Sequence, residues 1–351
     1  MNVRTDYFDH NASSPLLPEV HAAVVDAFAH LWANPHAQYR SAQAASVAVE
    51  AARRSVANLL SVPPATVFFT SGATESNSWV LRHGSGEGTT VLGSAVEHPS
   101  VSVHLDATIP VDSTGRVDLD ALDRLLSTQR HGLVSVMGAN NETGVLQPVV
   151  EVARRCRTHG VRLHCDASQM PGRVPLDALS AADFITLSGH KMGASRGVGV
   201  LVANTELPPL LQGGPQERGL RAGTVNVPAV VGMGVAADLA VPMRPDARDA
   251  IETVCRRLGA RILGDGAPRL PNTVSALFDI PGDLLVMSLD LEGLAASTGS
   301  ACSSGSHKPS AVVEAMGLTG APLRLSLGRD SDPTRLLHVL PQVVERARAA
   351  L

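Results

Sequence analysis

Short apolar runs alternate with helically spaced segments through the first two thirds of the chain, and this alternation constrains the fold more than any other feature. Thr66–Thr70 (TVFFT), Thr90–Leu92, Leu133–Met137, Arg162–Cys165, Phe184–Leu187 and Gly199–Val202 read as buried strands. Between several of them lie helical patterns. In Val49–Leu60, the residues Val49, Ala52, Val56, Leu59 and Leu60 share one side, and Pro148–Thr158 follows a similar rule. A strand followed by a helix and another strand returns the chain parallel to itself, which implies a mostly parallel sheet with helices on both faces. The Pro- and Asp-rich patch Val241–Asp249 (VPMRPDARD) marks a boundary. Beyond it the spacing predicts a helix over Ala250–Leu263, a strand over Thr273–Phe278 and a closing helix over Pro333–Ala350.

In a parallel α/β sheet, sites form at the carboxyl ends of strands. Three polar motifs fall at such ends. TSGATES (Thr70–Ser76) follows a strand and opens a helix, so its backbone N–H groups and Thr74 hydroxyl suit a phosphate; an ordinary helix-capping turn is the alternative. It lacks the spacing of a P-loop. HCDASQ (His164–Gln169) puts Asp166 directly after a strand, where a carboxylate serves a metal, a pyridinium nitrogen or a helix cap. His164, Cys165 and Asp166 make a poor chelating set, because neighbours on a strand point to opposite faces. LSGHKMG (Leu187–Gly193) gathers a hydroxyl, an imidazole and an amine within Ser188–Lys191.

Lysine usage sharpens the last motif. Of 29 basic residues only Lys191 and Lys308 are lysines. A chain that otherwise uses arginine retains an amine where Schiff-base chemistry needs one, since guanidinium stays protonated and is a poor nucleophile. A phosphate turn, a strand-end Asp and a strand-end Lys 25 residues later are together what pyridoxal phosphate (PLP) requires. One further feature stands apart. Cys302 sits in STGSACSSGSHKPS, among small polar residues unlike a core setting, where a thiol is either placed to react or an accidental one on a loop.

The totals exclude other classes. A 44% apolar and 18% charged composition fits a folded protein. Net charge is −4 with scattered basic residues, so no nucleic-acid partner is expected. The first residues lack an apolar signal core and no apolar run approaches a membrane span, so the expected setting is cytoplasmic, without membrane attachment. Four cysteines without C-x-x-C spacing indicate neither a zinc knuckle nor a disulfide framework.

The ordered blocks FDHNASSP, TSGATES, VEHPSV, ANNETGVLQP, HCDASQ, SGHKMG, GGPQERGLRAGT, STGSACSS and RLSLGR resemble the cysteine desulfurases of the class V aminotransferase group over nearly the whole chain. The resemblance implies PLP fold type I. A large domain with a mainly parallel seven-stranded sheet is expected over residues 15–245. A small α/β domain is expected from residues 1–14 and 246–351, carrying the Cys302 segment. It also implies a homodimer with each site at the subunit interface.

By the same resemblance Lys191 carries PLP, Asp166 pairs with the pyridine nitrogen, His98 stacks on the ring and Gln169 bonds the ring oxygen. Ala73, Thr74, Ser188 and His190 hold the phosphate, joined by Thr224 from the partner subunit. Asn141 and Arg324 grip the substrate carboxylate. The implied reaction converts L-cysteine to L-alanine, leaving a persulfide on Cys302 for a sulfur-acceptor or scaffold protein in iron–sulfur assembly or another thiolation pathway. Selenocysteine lyases, other class V aminotransferases or lyases, and a non-catalytic relative are the alternatives. Departures from the pattern are NPHAQYRSAQ (Asn34–Gln43), without the usual serine and His-x-x-Gly pattern and with Tyr39 or Arg40 near the expected histidine, Gly193–Arg196, without the usual proline, and Pro215, where a glycine is common.

Overall fold

The computed structural model describes residues 6–83, 88–128, 130–205, 207–299 and 310–351. Among the described residues the strands are β1 (Asp6–Tyr7), β2 (Val67–Thr70), β3 (Thr90–Ser94), β4 (Ala107–Ile109), β5 (His131–Ser135), β6 (Arg162–Asp166), β7 (Phe184–Ser188), β8 (Gly199–Ala203), β9 (Arg261–Ile262), β10 (Thr273–Leu277), β11 (Leu294–Ala295) and β12 (Leu323–Ser326). Seven of them form one sheet in the order β2-β8-β7-β6-β5-β3-β4. The run from β4 to β7 is parallel, while β8 lies antiparallel to both β7 and β2. Six of the seven strands therefore point the same way, and their carboxyl ends line one edge.

Strand alternation builds two faces. Phe69, Val134, Leu163, Ile185, Leu187 and Val200 join one apolar cluster with the helices Arg40–Leu60, Val149–Thr158 and Val227–Asp238. Their neighbours Phe68, Leu133, Phe184 and Leu201 face the other way, onto Trp79, Val80 and Leu81 of the helix Ala73–His83. Both faces are covered, so the strands read as continuous apolar runs. The sequence pattern does not mark β4, only three residues long, which is half-buried at Ala107 and exposed at Thr108.

A separate cluster holds Phe8, Ile251, Val274, Leu285, Leu325, Leu340 and Val344. It packs a three-stranded antiparallel sheet, β12-β10-β9, against the helices Asp246–Arg257, Gly282–Leu291 and Thr334–Ala349. The first of these is shorter than the expected Ala250–Leu263. It stops at Arg257, the chain turns at Gly259 (φ 83°), and residues 261–262 pair with β10 instead. The chain cannot continue helically through a left-handed glycine.

The segment GGPQERGLRAGT bonds to the edge strand β2 at Val67 and Phe69 under strain. Glu217 and Arg218 adopt left-handed backbone angles (φ 46° and 60°), which cost roughly 1–2 kcal/mol per non-glycine residue. A buried fork opposes that cost. Arg53 Nη1 and Nη2 donate to the two oxygens of Glu217 at 2.9 and 2.8 Å, and the Phe69 N–H donates to Glu217 Oε2 at 2.8 Å. Arg221 makes a second fork to Glu75, at 2.8 and 3.0 Å. Removing one partner of a buried pair strands the other charge, which costs about 3–5 kcal/mol. Arg53→Met should therefore lower the urea midpoint by that equivalent. Adding Glu217→Gly, which removes the stranded charge and suits φ > 0, should recover part of the loss. A double variant less stable than Arg53→Met would show that this pair is not what ties the segment down.

Candidate active site

Asp166 ends β6 at the sheet's carboxyl edge and is 6% exposed. Its two oxygens are both engaged: Oδ2 accepts from Asn77 Nδ2 at 2.8 Å and Oδ1 from the Ser168 N–H at 3.0 Å. Asn77 lies one turn into the helix Ala73–His83 and also donates to Ser100 Oγ at 2.9 Å. Ser100 in turn contacts His98 Nδ1 twice, through Oγ at 2.8 Å and through its N–H at 3.1 Å. A backbone N–H only donates, so Nδ1 is an acceptor and the neutral ring carries its proton on Nε2. Burial lowers the His98 pKa, with Lys191 acting in the same direction and Asp166 against it. The network thus holds the Asp166 carboxyl, with both oxygens bonded, beside a neutral imidazole.

Lys191 follows β7 in the single turn Gly189–Lys191. Its Nζ donates to the backbone oxygens of Asn11 and, at 2.9 Å, Ala12. Gln169 Nε2 donates to the same Asn11 oxygen at 2.9 Å. Gln169 Oε1 accepts from Arg173, which also donates to the backbone oxygens of Gln169 and His10, at 3.1 Å each. Arg173 is buried, and burial together with Arg324 pushes its pKa down to about 9.

Of these residues Asn11, Ala12, His98, Ser100, Asp166, Ser168, Gln169 and Lys191 line one cavity of about 220 Å³. Ala73 and Thr74 bring the amino terminus of their helix to its wall, alongside Ser188 and His190. His190 contacts Ser13 Oγ at 3.2 Å, and burial, then Lys191 and Arg196, push its pKa down to about 4. The turn before that helix is set by Gly199 of β8, where an added Cβ would lie 2.5 Å from the Cα of Gly72. Only hydrogen fits between the two backbones, so the antiparallel strand presses the turn into place. Asn141 and Arg324 line the same cavity. Arg324 is 1% exposed; its Nη1 donates to the Asn141 backbone oxygen at 3.1 Å and its Nη2 pairs with Asp9 at 2.5 Å. Arg324 Nε and Ser168 Oγ are buried without a partner among the described residues.

Ten residues expected from sequence thus meet at this cavity: Ala73, Thr74, His98, Asn141, Asp166, Gln169, Ser188, His190, Lys191 and Arg324. Thr224 does not; it is exposed and absent from the cavity lining of its own chain. Cys302 and Lys308 lie outside the described residues. Alternation separates the neighbours of Asp166. His164 bonds Ser135 and Thr186 at 2.8 and 3.1 Å, and Cys165 belongs to the sheet core. The sequence reading assigned no role to Asn11, Asn77, Ser100, Ser168 or Arg173. Asn77 was within reach of pattern reasoning, since it falls one helical turn after Ala73. A second cavity, of about 460 Å³, lies beyond Lys191 and is lined by Tyr7, His10, Arg173, Met243 and Leu327; of the expected residues it shares only Lys191.

The arrangement fits a phosphorylated pyridine aldehyde by its donor set. Helix N–H groups and hydroxyls receive a phosphate, a fixed carboxylate receives a ring N–H, and an amine lines the same space. Comparisons with known proteins agree with this geometry. The Aminotransferase class-V family matches residues 6–335. A curated cysteine desulfurase from Nostoc sp. is 37% identical, covering 98% of this chain and 94% of the relative. A solved NifS-like protein superposes with a TM-score of 0.88 at 31% identity, covering 97% of this chain and 99% of the other. Another, SspA in complex with cysteine, has a TM-score of 0.81 at 28% identity over 93% of this chain and 99% of the other. The chain belongs to the class V aminotransferases of PLP fold type I, in the branch whose curated members are cysteine desulfurases.

Glu97 is a buried carboxyl beside this network. Its Oε1 accepts from Ser94 Oγ at 2.6 Å and the Met137 N–H at 2.7 Å, while Oε2 is buried without a partner among the described residues. Burial pushes its pKa up to about 8 from 4.5, its two hydrogen bonds opposing and Asp166 adding to the rise. The folded chain therefore keeps a proton that the unfolded chain releases. The resulting stability is fully present below pH ~4.5 and is lost as pH rises towards ~8. Glu97→Gln should flatten the fall in melting temperature between pH ~5 and ~8; an unchanged slope would show that Glu97 does not titrate there.

Proposed function

We propose that this protein is a PLP-dependent cysteine desulfurase. The net reaction is L-cysteine plus the Cys302 thiol giving L-alanine plus a Cys302 persulfide. The observation that carries the reading is the meeting, at one cavity, of Lys191, the doubly bonded Asp166, the neutral His98 and the helix start at Ala73, together with Asn141 and Arg324. The curated relatives named cysteine desulfurase and the cysteine-bound structural neighbour support the choice of reaction and substrate.

In this reading Lys191 would hold the cofactor by its aldehyde, Asp166 would pair with the ring nitrogen and His98 would stack on the ring. Ala73, Thr74, Ser188 and His190 would hold the phosphate, and Gln169 would bond the ring oxygen. PLP, when bound, supplies the sink for the electron pair released at the substrate Cα. Arg324 and Asn141 receive the substrate carboxylate. Arg324 keeps its Asp9 pair at Nη2, so its remaining N–H groups, the buried Nε among them, are those available to the substrate. As a free amine, once the substrate amine has taken its place, Lys191 Nζ moves the Cα proton. The Cys302 thiolate forms the S–S bond as the substrate C–S bond breaks, and the electron pair left on the substrate carbon takes up a proton to give alanine. An acceptor or scaffold protein then takes the outer sulfur, in iron–sulfur cluster assembly or another thiolation pathway.

We infer a cytoplasmic homodimer with two domains per chain, residues 15–245 and residues 1–14 with 246–351. Separate apolar clusters around the seven-stranded and three-stranded sheets, with Phe8 in the latter, support the division. Exposed Phe28, Trp32, Tyr39, Val47 and Val103 and the outward Thr224 support a partner subunit that receives Thr224 in its phosphate site. Among the described residues no helix is long and apolar enough to cross a membrane.

Incubation with L-cysteine should yield equimolar alanine and, by mass spectrometry, one additional sulfur on the peptide containing Cys302. Cys302→Ser should abolish both while retaining the cofactor, whereas Lys191→Ala should yield protein without a reducible cofactor linkage. Alanine formation at the parent rate by Cys302→Ser would overturn the assigned role of the thiol.

A further inference from the structure

Gln169 and Arg173 meet across a tight turn. The Met170 oxygen accepts from the Arg173 and Val174 N–H groups at 3.1 and 3.2 Å, and Gly172 takes a left-handed φ of 71°. The chain so doubles back and lays the guanidinium against the Gln169 amide. Arg173 is 4% exposed. Its Nη1 donates to Gln169 Oε1 and, at 3.1 Å, to the Gln169 backbone oxygen. Its Nη2 donates to the backbone oxygens of His10 and Lys191 at 3.1 and 3.4 Å. All these acceptors are neutral. Among the described residues no carboxylate pairs with Arg173, and the charge acting on it is the like charge of Arg324, whose own partner is Asp9. A guanidinium accepts no hydrogen bond, so only the oxygen of the Gln169 amide can face it, and Nε2 is turned the other way. One Nε2 hydrogen goes to the Asn11 oxygen at 2.9 Å, and the second has no acceptor among the described residues. Gln169 lines the cavity with Lys191, whereas Arg173 is not part of that lining.

We propose that Arg173 is a positioning residue: it holds the Gln169 amide with its N–H end towards the cavity and backs that donor with a positive charge, so that the site selects an anionic oxygen on the ring it binds. This rests on the reading that PLP occupies the cavity with its ring oxygen at Gln169. An N–H backed by a cation is the stronger donor, because the charge polarises the bond and adds its own attraction for the acceptor. The guanidinium has no anion of its own, so this attraction is realised only when an anionic acceptor arrives. The ring hydroxyl of PLP, made acidic by the pyridinium, supplies one. Since Arg173 lies outside the cavity lining, it reaches that oxygen only through Gln169. A hydrogen bond with a charged partner is worth about tenfold more in affinity than a neutral one. A residue that merely fastened the turn to His10 would support every part of the cofactor alike, whereas Arg173 as placed discriminates at one oxygen.

The test sets two ligands against the full-length protein freed of cofactor: PLP and its analogue lacking the ring hydroxyl. Dissociation constants are read by absorbance titration in the parent, Arg173→Met, Gln169→Leu and the double variant. Arg173→Met should weaken PLP about tenfold and the analogue less than about threefold. Gln169→Leu should remove the preference for PLP over the analogue, and adding Arg173→Met to it should change neither constant by more than about threefold. Should Arg173→Met not fold, Arg173→Gln takes its place in the cycle; it is neutral but still bonds Gln169, and its preference for PLP should fall at least about threefold. Equal weakening of both ligands by the Arg173 variant would show a merely structural role and overturn the proposal. So would a preference for PLP that survives the variant in full, or a further tenfold loss of PLP alone in the Gln169→Leu background, which would mean that Arg173 does not act through Gln169. If the parent binds PLP and the analogue equally, Gln169 bonds no ring oxygen, and the inference falls while the cofactor reading stands. If the parent binds neither, the cofactor reading falls and takes the inference with it.

Discussion

Everything at this site depends on one constraint: six of the seven strands end at the same edge of the sheet. Within the sheet the backbone groups are paired, so the chain can leave only past that edge, in turns whose side chains face a partly dry space. Thr70, Ser94, Asp166 and Ser188 all close strands there. The antiparallel β8 begins where the others end, with Gly199 opposite both Thr70 and Ser188. Its contact with Gly72 is too close for any side chain, which fixes the start of the helix Ala73–His83 relative to Lys191. Phosphate-type donors and the amine are thereby held at one distance by backbone packing.

Charge is then distributed over that frame so that few buried groups stand alone. Asn77 and the Ser168 N–H take the oxygens of Asp166, and Ser100 passes the same network to His98. Burial keeps His98, His164 and His190 neutral by lowering their pKa values, while it keeps Glu97 protonated by raising one. The result is that Asp166, its two oxygens held by Asn77 and the Ser168 N–H, lies beside neutral neighbours. Such an arrangement concentrates the local field on a ring proton instead of spreading it over competing acids.

Asn11 joins parts of the chain far apart in sequence. Its N–H donates to Ser326 Oγ at 2.9 Å, and its side chain donates to Thr273 Oγ1 at 2.9 Å and the Asn141 oxygen at 3.1 Å. Its carbonyl receives Lys191 and Gln169. The amino-terminal segment is therefore a strap between the two sheets, and Arg324 on β12 reaches the cavity across it, with Asp9 balancing its charge. A loss at Asn11 would loosen the amine, the ring-side amide and the carboxylate-binding side together.

Local pattern alone was sufficient for the α/β alternation, most strand positions and the three strand-end motifs, because periodicity and turn chemistry act over a few residues. The ordered blocks extended this to Asn141, Arg324 and His98. What pattern could not reach were contacts between distant segments: Asp9 on Arg324, Asn11 on Lys191, and Arg173 on His10. Nothing local marks these, since each partner is an ordinary polar residue until folding removes water from around it. The helix expected to run to Leu263 failed for the same reason. Its sequence is helix-compatible, but pairing of Ile262 with Ala276 and a left-handed Gly259 favour a strand. The chemistry available to this chain was written in its residue types and their order; which of those groups share one dry cavity, and in which protonation state, was decided by tertiary packing.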